Sequence, residues 1–231
     1  MRDVGVIIAA AGSGSRFGKV KQFELLGDLA LYQYVARTFS SIESIRALVL
    51  VGREEEVPTY EAGLRELKLE CECHVVSGGA TRQESVAKGL DVFRAFDGIE
   101  VLLVHDAARA LVNPPLIEAV IRAVREHGSA IPGLPVVDTL KRTDGQRIIE
   151  TVSRENLWRA QTPQGARLEL MLGAYDVAPD ILRTATDEAQ LLERIGEHPW
   201  IVPGSESNFK ITYPADLERA RSVLANASQI D

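Results

Sequence analysis

The sequence predicts a doubly wound, mostly parallel α/β sheet carrying a protruding β-hairpin arm. Short apolar runs alternate with helical patterns along the chain, the order of strand and helix in such folds. The runs are β-branched and nearly continuous, as strands covered on both faces should be. One polar segment, 138–153, breaks the rhythm.

Strands are expected at 4–10 (VGVIIAA), 45–51 (IRALVLV), 73–76 (CHVV), 100–104 (EVLLV) and, more briefly, 129–136. Helical patterns lie between and after them, at about 30–40, 54–68, 82–96, 114–127, 167–178, 187–196 and 214–226. Asn113 followed by Pro114 and Pro115 reads as an N-cap with proline in the first turn, and Thr212 ahead of Pro214 as a similar start. Thr81 and Glu84 form a capping box. The exceptional segment reads DTLKRTDGQRIIETVS: two polar arms around Asp144-Gly145, a hairpin turn signal. Its arms hold too few apolar residues for a core of their own. Read alone, it is either a solvated surface hairpin or an arm that meets a partner.

The 231 residues suggest one domain spanning 1–231, with a composition of 45% hydrophobic and 26% charged residues that is ordinary for a globular chain. The start, MRDVGVIIAA, reads as a first strand rather than a signal peptide, and no apolar run has transmembrane length, so a cytoplasmic protein is expected. A formal net charge of −7 argues against a general nucleic-acid binder. The two cysteines, Cys71 and Cys73, read as reduced packing residues.

In an acidic chain a locally basic site is informative. The first strand runs into AAAGSGSRFGKVKQF, where small residues permit close approach and Arg16, Lys19 and Lys21 invite an anion. A dinucleotide fingerprint needs glycine at 17, which is Phe17; a P-loop needs four residues between its glycines, and five separate Gly12 from Gly18. What remains is a loop able to wrap phosphates with backbone N–H groups, or, read locally, a glycine turn with exposed cations. Gly78-Gly79 with Arg82 and Ser85, and VHDAAR with Asp106 and Arg109, fall at two further strand ends. Such ends form the ligand crevice of this fold class. Asp106 suits Mg2+ or a sugar hydroxyl and Arg109 a phosphate, unless the two only pair with each other. His105 alone is weak as a general base. Further on stand Thr162, Thr186, Asp187 and Lys210; either Thr186 or Asp187 suits a helix cap, whereas Lys210, between Phe209 and Ile211, points away from their apolar face. No Ser-His-Asp order and no His-Glu-x-x-His is present. Cations, hydroxyls and one or two carboxylates suit phosphoryl or nucleotidyl transfer.

Taken in order, AAAGSGSRFG…KQF, GG..RQ.SV, VHDAAR, DT.KR, TVSRE.LWRAQTPQ, TDEA and NFKIT resemble the 2-C-methyl-D-erythritol 4-phosphate cytidylyltransferases, over about residues 5–215. The resemblance implies a Rossmann-like nucleotidyltransferase that uses CTP and Mg2+. It places Ala10, Ala11, Gly12, Gly79 and Ser85 around the cytidine, and Arg16 and Lys21 at the α-phosphate. Asp106 falls near ribose or metal. Arg109, Thr139, Arg154, Thr162, Thr186 and Lys210 surround the second substrate, with Arg154 and Lys210 on its phosphate. The hairpin becomes a homodimerisation arm that brings Thr139 and Arg154 to the neighbouring subunit's site. Ribitol-5-phosphate cytidylyltransferases share most of these motifs and form the alternative. A nucleotide-binding regulator without turnover is a third reading, against which Lys210, Arg16 and Lys21 stand together. The chain departs from the family pattern at Val20 and Ala110, usually proline, and at Ala80, often acidic.

Overall fold

A computed structural model of the chain describes residues 2–12, 14, 17–18, 20–177 and 179–227. Strand β1 (Val4–Ala9) is followed by a 3-10 turn at Lys21–Phe23, a small hairpin of β2 (Leu25–Leu26) and β3 (Leu29–Ala30), and helix α1 (Leu31–Ser40). Then come β4 (Ile45–Gly52), α2 (Val57–Glu66), β5 (Glu72–Ser77), α3 (Arg82–Phe93), β6 (Val101–Asp106), α4 (Pro114–His127) and β7 (Ser129–Pro135). The arm is β8 (Leu140–Asp144) and β9 (Arg147–Val152). Strands β10 (Trp158–Ala160) and β11 (Gln164–Arg167), helices α5 (Leu168–Tyr175), α6 (Pro179–Thr184) and α7 (Glu188–Arg194), strand β12 (Trp200–Pro203) and helix α8 (Pro214–Ala227) complete the order.

The large sheet runs β10-β7-β11-β6-β1-β4-β5, with β12 parallel to β7. From β1 the chain steps outward to β4 and β5, all parallel, then returns to pair β6 with the other edge of β1. The strand order therefore reverses between β1 and β6, and a crevice opens at their carboxyl ends, the usual ligand position in open α/β sheets. Ala9 and Asp106, the last residues of these strands, are partners in register.

The central strands are buried on both faces, which explains their continuous apolar runs. Val4, Val6 and Ile8 of β1 join one core with α1, α2, α4 and α8; Ile7 joins a second with α3, α5 and α7 on the opposite face. Truncating Ile7, which is wholly buried, would cost about 2–5 kcal/mol.

The expected strands and long helices are present, with shorter ends at 54–68, where a 3-10 turn precedes α2. The expected caps hold at Asn113, which accepts Leu116 N–H, and at the Thr81–Glu84 box. Asp187, not Thr186, caps α7 by accepting Gln190 N–H. At α8 the Asp216 carboxylate accepts the Thr212 and Tyr213 N–H groups, while the Thr212 hydroxyl donates to the Lys210 carbonyl. Sequence periodicity passed over β10, β11, β12 and α6. The strands among these are three or four residues long, too short for a period to register. Strand β11 is antiparallel and fills the gap between β6 and β7.

The hairpin forms as expected, as a separate two-stranded sheet. Its loop is Gly145-Gln146 rather than Asp144-Gly145, because Asp144 pairs with Arg147. Gly145 has φ +55°, the left-handed backbone that the first loop position of a primed turn needs. Both cysteines are free thiols, as expected, and Cys71 is half-buried against the core; Cys73 departs from the packing role because it is exposed on the edge strand, its sulfur 3.9 Å from that of Cys71.

Candidate active site

Three loops at the carboxyl ends of β1, β5 and β6 converge on one cavity of about 550 Å3. Its walls include Ala11, Gly12, Lys21, Arg53, Gly79, Arg82, Ser85, Asp106 and Lys210. Expected site residues separated by up to 199 positions, Ala11 to Lys210, thus meet in one place.

The first loop is tied down from within. The Gln22 side-chain amide donates to the Ala10 carbonyl at 2.7 Å and the Gly12 carbonyl at 3.0 Å. Ala10 itself is fully buried and faces the core; Ala11 and Gly12 face the cavity. Lys21 sits in the 3-10 turn beside Gln22. Arg16 and Lys19 lie outside the described residues.

The second loop packs against the first. Gly78 N–H donates to the Gly52 carbonyl at 2.7 Å, and a Cβ at Gly78 would fall 2.7 Å from both Ala11 Cβ and Ser85 Oγ. The Ser85 hydroxyl in turn donates to the Thr81 carbonyl at 2.8 Å and accepts Gly79 N–H at 3.0 Å. Only a residue without a side chain lets these loops touch.

Asp106 is the electrostatic centre. Its Oδ1 accepts Arg82 Nε at 3.1 Å and its Oδ2 lies 2.8 Å from Lys210 Nζ, with Arg109 Nε 3.9 Å away. Burial pushes its carboxyl upward, but Arg82, Lys210 and Arg109 prevail and hold it well below the usual carboxylate range. Arg82 also forks onto Glu188, at 2.6 and 3.0 Å. Arg109 is largely buried and lowered by that burial; its Nη1 donates to the Asn208 carbonyl. His105 is fully buried, and burial holds its imidazole down at about 3, so it is neutral and has no reach as a base.

Thr162 is buried beneath this floor, where its hydroxyl accepts Asp106 N–H. Thr186 is exposed, with its N–H on the Gln190 side chain. Thr139 and Arg154 are exposed at the base of the arm, where Arg154 Nη1 donates to the Val137 carbonyl. Neither lines the cavity of its own chain.

Sequence reasoning missed Gln22, Arg53 and Glu188, whereas the close approach expected at Gly78-Gly79 is present. Gln22 carried a readable signal, a two-donor amide inside a glycine loop. Glu188 carried none, since a glutamate in a first helical turn ordinarily faces water and complements the helix dipole.

The fit of a divalent cation follows from the donor set. No group of three or more His, Cys, Asp or Glu side chains able to hold a metal exists among the described residues. Among those residues Asp106 is the sole carboxylate on the cavity wall, and both its oxygens face cations. That set fits a Mg2+-type ion carried mainly by phosphate oxygens and water, with at most one protein carboxylate, and not an all-protein cage.

A cavity at the switch point of a doubly wound sheet, walled by lysines, arginines and backbone amides, suits a phosphate-bearing ligand, and together with the relatives that follow it makes the protein a nucleotidyltransferase. A sequence model of the family IspD, 2-C-methyl-D-erythritol 4-phosphate cytidylyltransferase, matches residues 4–226. The cytidylyltransferase of that name from Rubrobacter xylanophilus is 41% identical over 227 residues, 97% of this chain and 96% of its own. That from Acidobacterium capsulatum is 39% identical over 236 residues, 97% of this chain and 98% of its own. The crystal structure of the Thermus thermophilus cytidylyltransferase superposes with a TM-score of 0.79 at 32% identity, covering 96% of this chain and 98% of that one. This chain belongs to the 2-C-methyl-D-erythritol 4-phosphate cytidylyltransferase family.

Proposed function

We propose that the cavity binds CTP and 2-C-methyl-D-erythritol 4-phosphate and joins them. The carrying observation is the convergence of the glycine loop, the Gly78-Gly79 loop and the Asp106–Lys210 pair on one cavity. Family membership favours methylerythritol phosphate over ribitol phosphate.

A phosphate oxygen of the polyol attacks the α-phosphorus of CTP, the bond to the β-phosphate breaks, and pyrophosphate leaves. Two polyanions must approach each other, so cations decide the barrier. Lys21, with Arg16 five positions before it in the sequence, is assigned to the charge growing on the α-phosphate. Lys210 is assigned to the second substrate's phosphate, together with Arg154. Backbone groups of Ala10, Ala11, Gly12 and Gly79, with Ser85, are assigned to the cytidine, while Asp106 fixes Lys210 and stands near the ribose. Arg109, Thr162 and Thr186 frame the polyol side. A preorganised donor of this kind is typically worth about 3–4 kcal/mol in the transition state. A divalent ion, Mg2+ in this reading, would be held by the triphosphate beside Asp106 and supply further charge neutralisation there.

The same reading takes 1–231 as one catalytic domain of a cytoplasmic enzyme and 138–153 as the arm of a homodimer. Ile148 and Ile149 on β9 are 59% and 58% exposed, apolar surface that a second arm would cover. Thr139 and Arg154 then complete the partner's site. None of the helices among the described residues is long and apolar enough to cross a membrane.

The test is pyrophosphate release with CTP, ATP or GTP against each of the two polyol phosphates. Turnover is expected with CTP and methylerythritol phosphate. Equal rates with ATP would sink the assignment of the two glycine loops, and preference for ribitol phosphate would replace the second substrate.

A further inference from the structure

The buried side of the cavity wall holds an ionic chain that ends on Lys210. Tyr175 Oη donates to Glu188 Oε1 at 2.9 Å, Glu188 holds Arg82 through both carboxylate oxygens, Arg82 Nε reaches Asp106 Oδ1, and Asp106 Oδ2 holds Lys210. Glu188 has no exposed surface, whereas Arg82 and Lys210 line the cavity. A fully buried carboxylate is costly unless something pins it beside its cation. Here Gln164 of β11 does so. Its Oε1 accepts Ala189 N–H at 2.9 Å and its Nε2 donates to Asp187 at 3.0 Å, clamping the two residues that flank Glu188.

Arg82 therefore has two carboxylates to choose between. Glu188 takes its two terminal nitrogens and leaves only Nε for Asp106, so that Asp106 keeps Oδ2 for Lys210. Remove the Glu188 charge and the whole guanidinium fork becomes available to Asp106, whose bidentate pairing would draw both carboxylate oxygens away from Lys210.

We propose that Glu188 is a positioning residue of the transfer reaction: by occupying the fork of Arg82 it reserves one oxygen of Asp106 for Lys210 and so sets the ammonium group at the cavity wall. Tyr175 supports it by fixing Oε1, one of the two Glu188 oxygens that hold Arg82. The kinetic consequence rests on the cytidylyl-transfer reading; the geometric one does not.

The experiment uses full-length Glu188→Gln, which keeps the shape and removes the charge. The first readout is the rate at which acetic anhydride acylates Lys210, relative to exposed lysines such as Lys141, measured by peptide mass spectrometry without substrates. Release from Asp106 should raise it at least threefold. The second is steady-state kinetics with CTP and methylerythritol phosphate, where kcat should fall at least tenfold while KM for CTP moves less than threefold. A lowered melting temperature with both readouts at wild-type values would make Glu188 merely structural and overturn the proposal, as would faster labelling with undiminished kcat. Faster labelling in a protein whose wild type turns over neither substrate pair would uphold the positioning role and defeat the substrate reading instead. Should Glu188→Gln fail to fold, Tyr175→Phe removes one hydroxyl and keeps the ring. Its Lys210 labelling should rise about twofold, and no rise there overturns the proposal.

Discussion

Thr162 presents a single hydroxyl to His105: its Oγ1 lies 3.0 Å from the ring Nδ1 and also accepts the Asp106 N–H at 3.2 Å. With the imidazole neutral, Nδ1 is the acceptor, and the Nε2 proton goes to the Arg109 carbonyl 3.2 Å away. One side chain thereby fixes the tautomer of a buried histidine and the backbone beneath Asp106.

Thr162→Val keeps the volume and leaves a buried imidazole nitrogen and a buried amide without partners. Such groups cost about 1–3 kcal/mol each, so a loss of about 2–6 kcal/mol is expected in urea unfolding. A loss below about 0.5 kcal/mol would mean that the hydroxyl is dispensable to the floor of the site.

Acid should destabilise the protein in two stages. The native His105 is held at about 3, below its ordinary value near 6.5, so only the unfolded state binds that proton between the two. Stability is complete above about 6.5 and falls by up to about 1.4 kcal/mol per pH unit as pH drops toward 3. Asp106 is also depressed, and its contribution is lost below the unfolded carboxylate range, near 3.9. Urea melts at pH 7, 5.5 and 4.5 should show the first stage, and His105→Gln should flatten it. An unchanged slope in that variant would assign the proton elsewhere.

Gly78→Ala forces a Cβ to within 2.7 Å of Ala11 and Ser85 and 3.2 Å of the Gly52 carbonyl. The two loops must separate. KM for CTP should rise about tenfold with a smaller change in kcat, the pattern of lost binding common to ground and transition states. A kcat effect alone would place Gly78 nearer the chemistry than its contacts indicate.

Lys21→Ala and Arg16→Ala should each lower kcat by about 100-fold or more and leave KM for CTP nearly unchanged, since their assigned partner is charge that develops in the transition state. A change confined to KM would make them ground-state binders.

The arm reading predicts complementation. Lys21→Ala damages the nucleotide loop and Arg154→Ala the arm, so each homodimer should be nearly inactive. In a mixed dimer both defects fall in one site and the other is intact. Random subunit exchange should restore up to about one quarter of wild-type activity. Verified heterodimers that recover nothing would place Arg154 in its own chain's site.

The layout of the sheet was legible because each central strand is a short, continuous apolar run set off by a helical pattern, and the polar loops were legible because glycines and cations gather at the ends of those runs. The contacts inside the site were not. Asp106 and Arg109, three residues apart, suggested a pair and lie 3.9 Å apart, yet the shorter contacts of Asp106 go to Arg82 and Lys210, 24 and 104 positions away. Local spacing cannot rank partners that only the fold brings near. In TDEA the candidate residues were Thr186 and Asp187, and the buried charged member is Glu188. Burial of a charge depends on what covers it, here Arg82, Tyr175 and Gln164, none of them on its own helix.

Strand β11 also governs how a growing chain can be completed on the ribosome. By Asp106 the nascent polypeptide owns four parallel strands, but the partner of the β6 edge is not β7, which comes next; it is residues Gln164–Arg167. Until these emerge, an apolar strand edge stays open, the kind of template that neighbouring chains can pair with. Thr162, which secures Asp106, arrives two residues ahead of that strand. Closing the sheet and finishing the floor of the site are thus one event in synthesis, and a chain interrupted before it has neither.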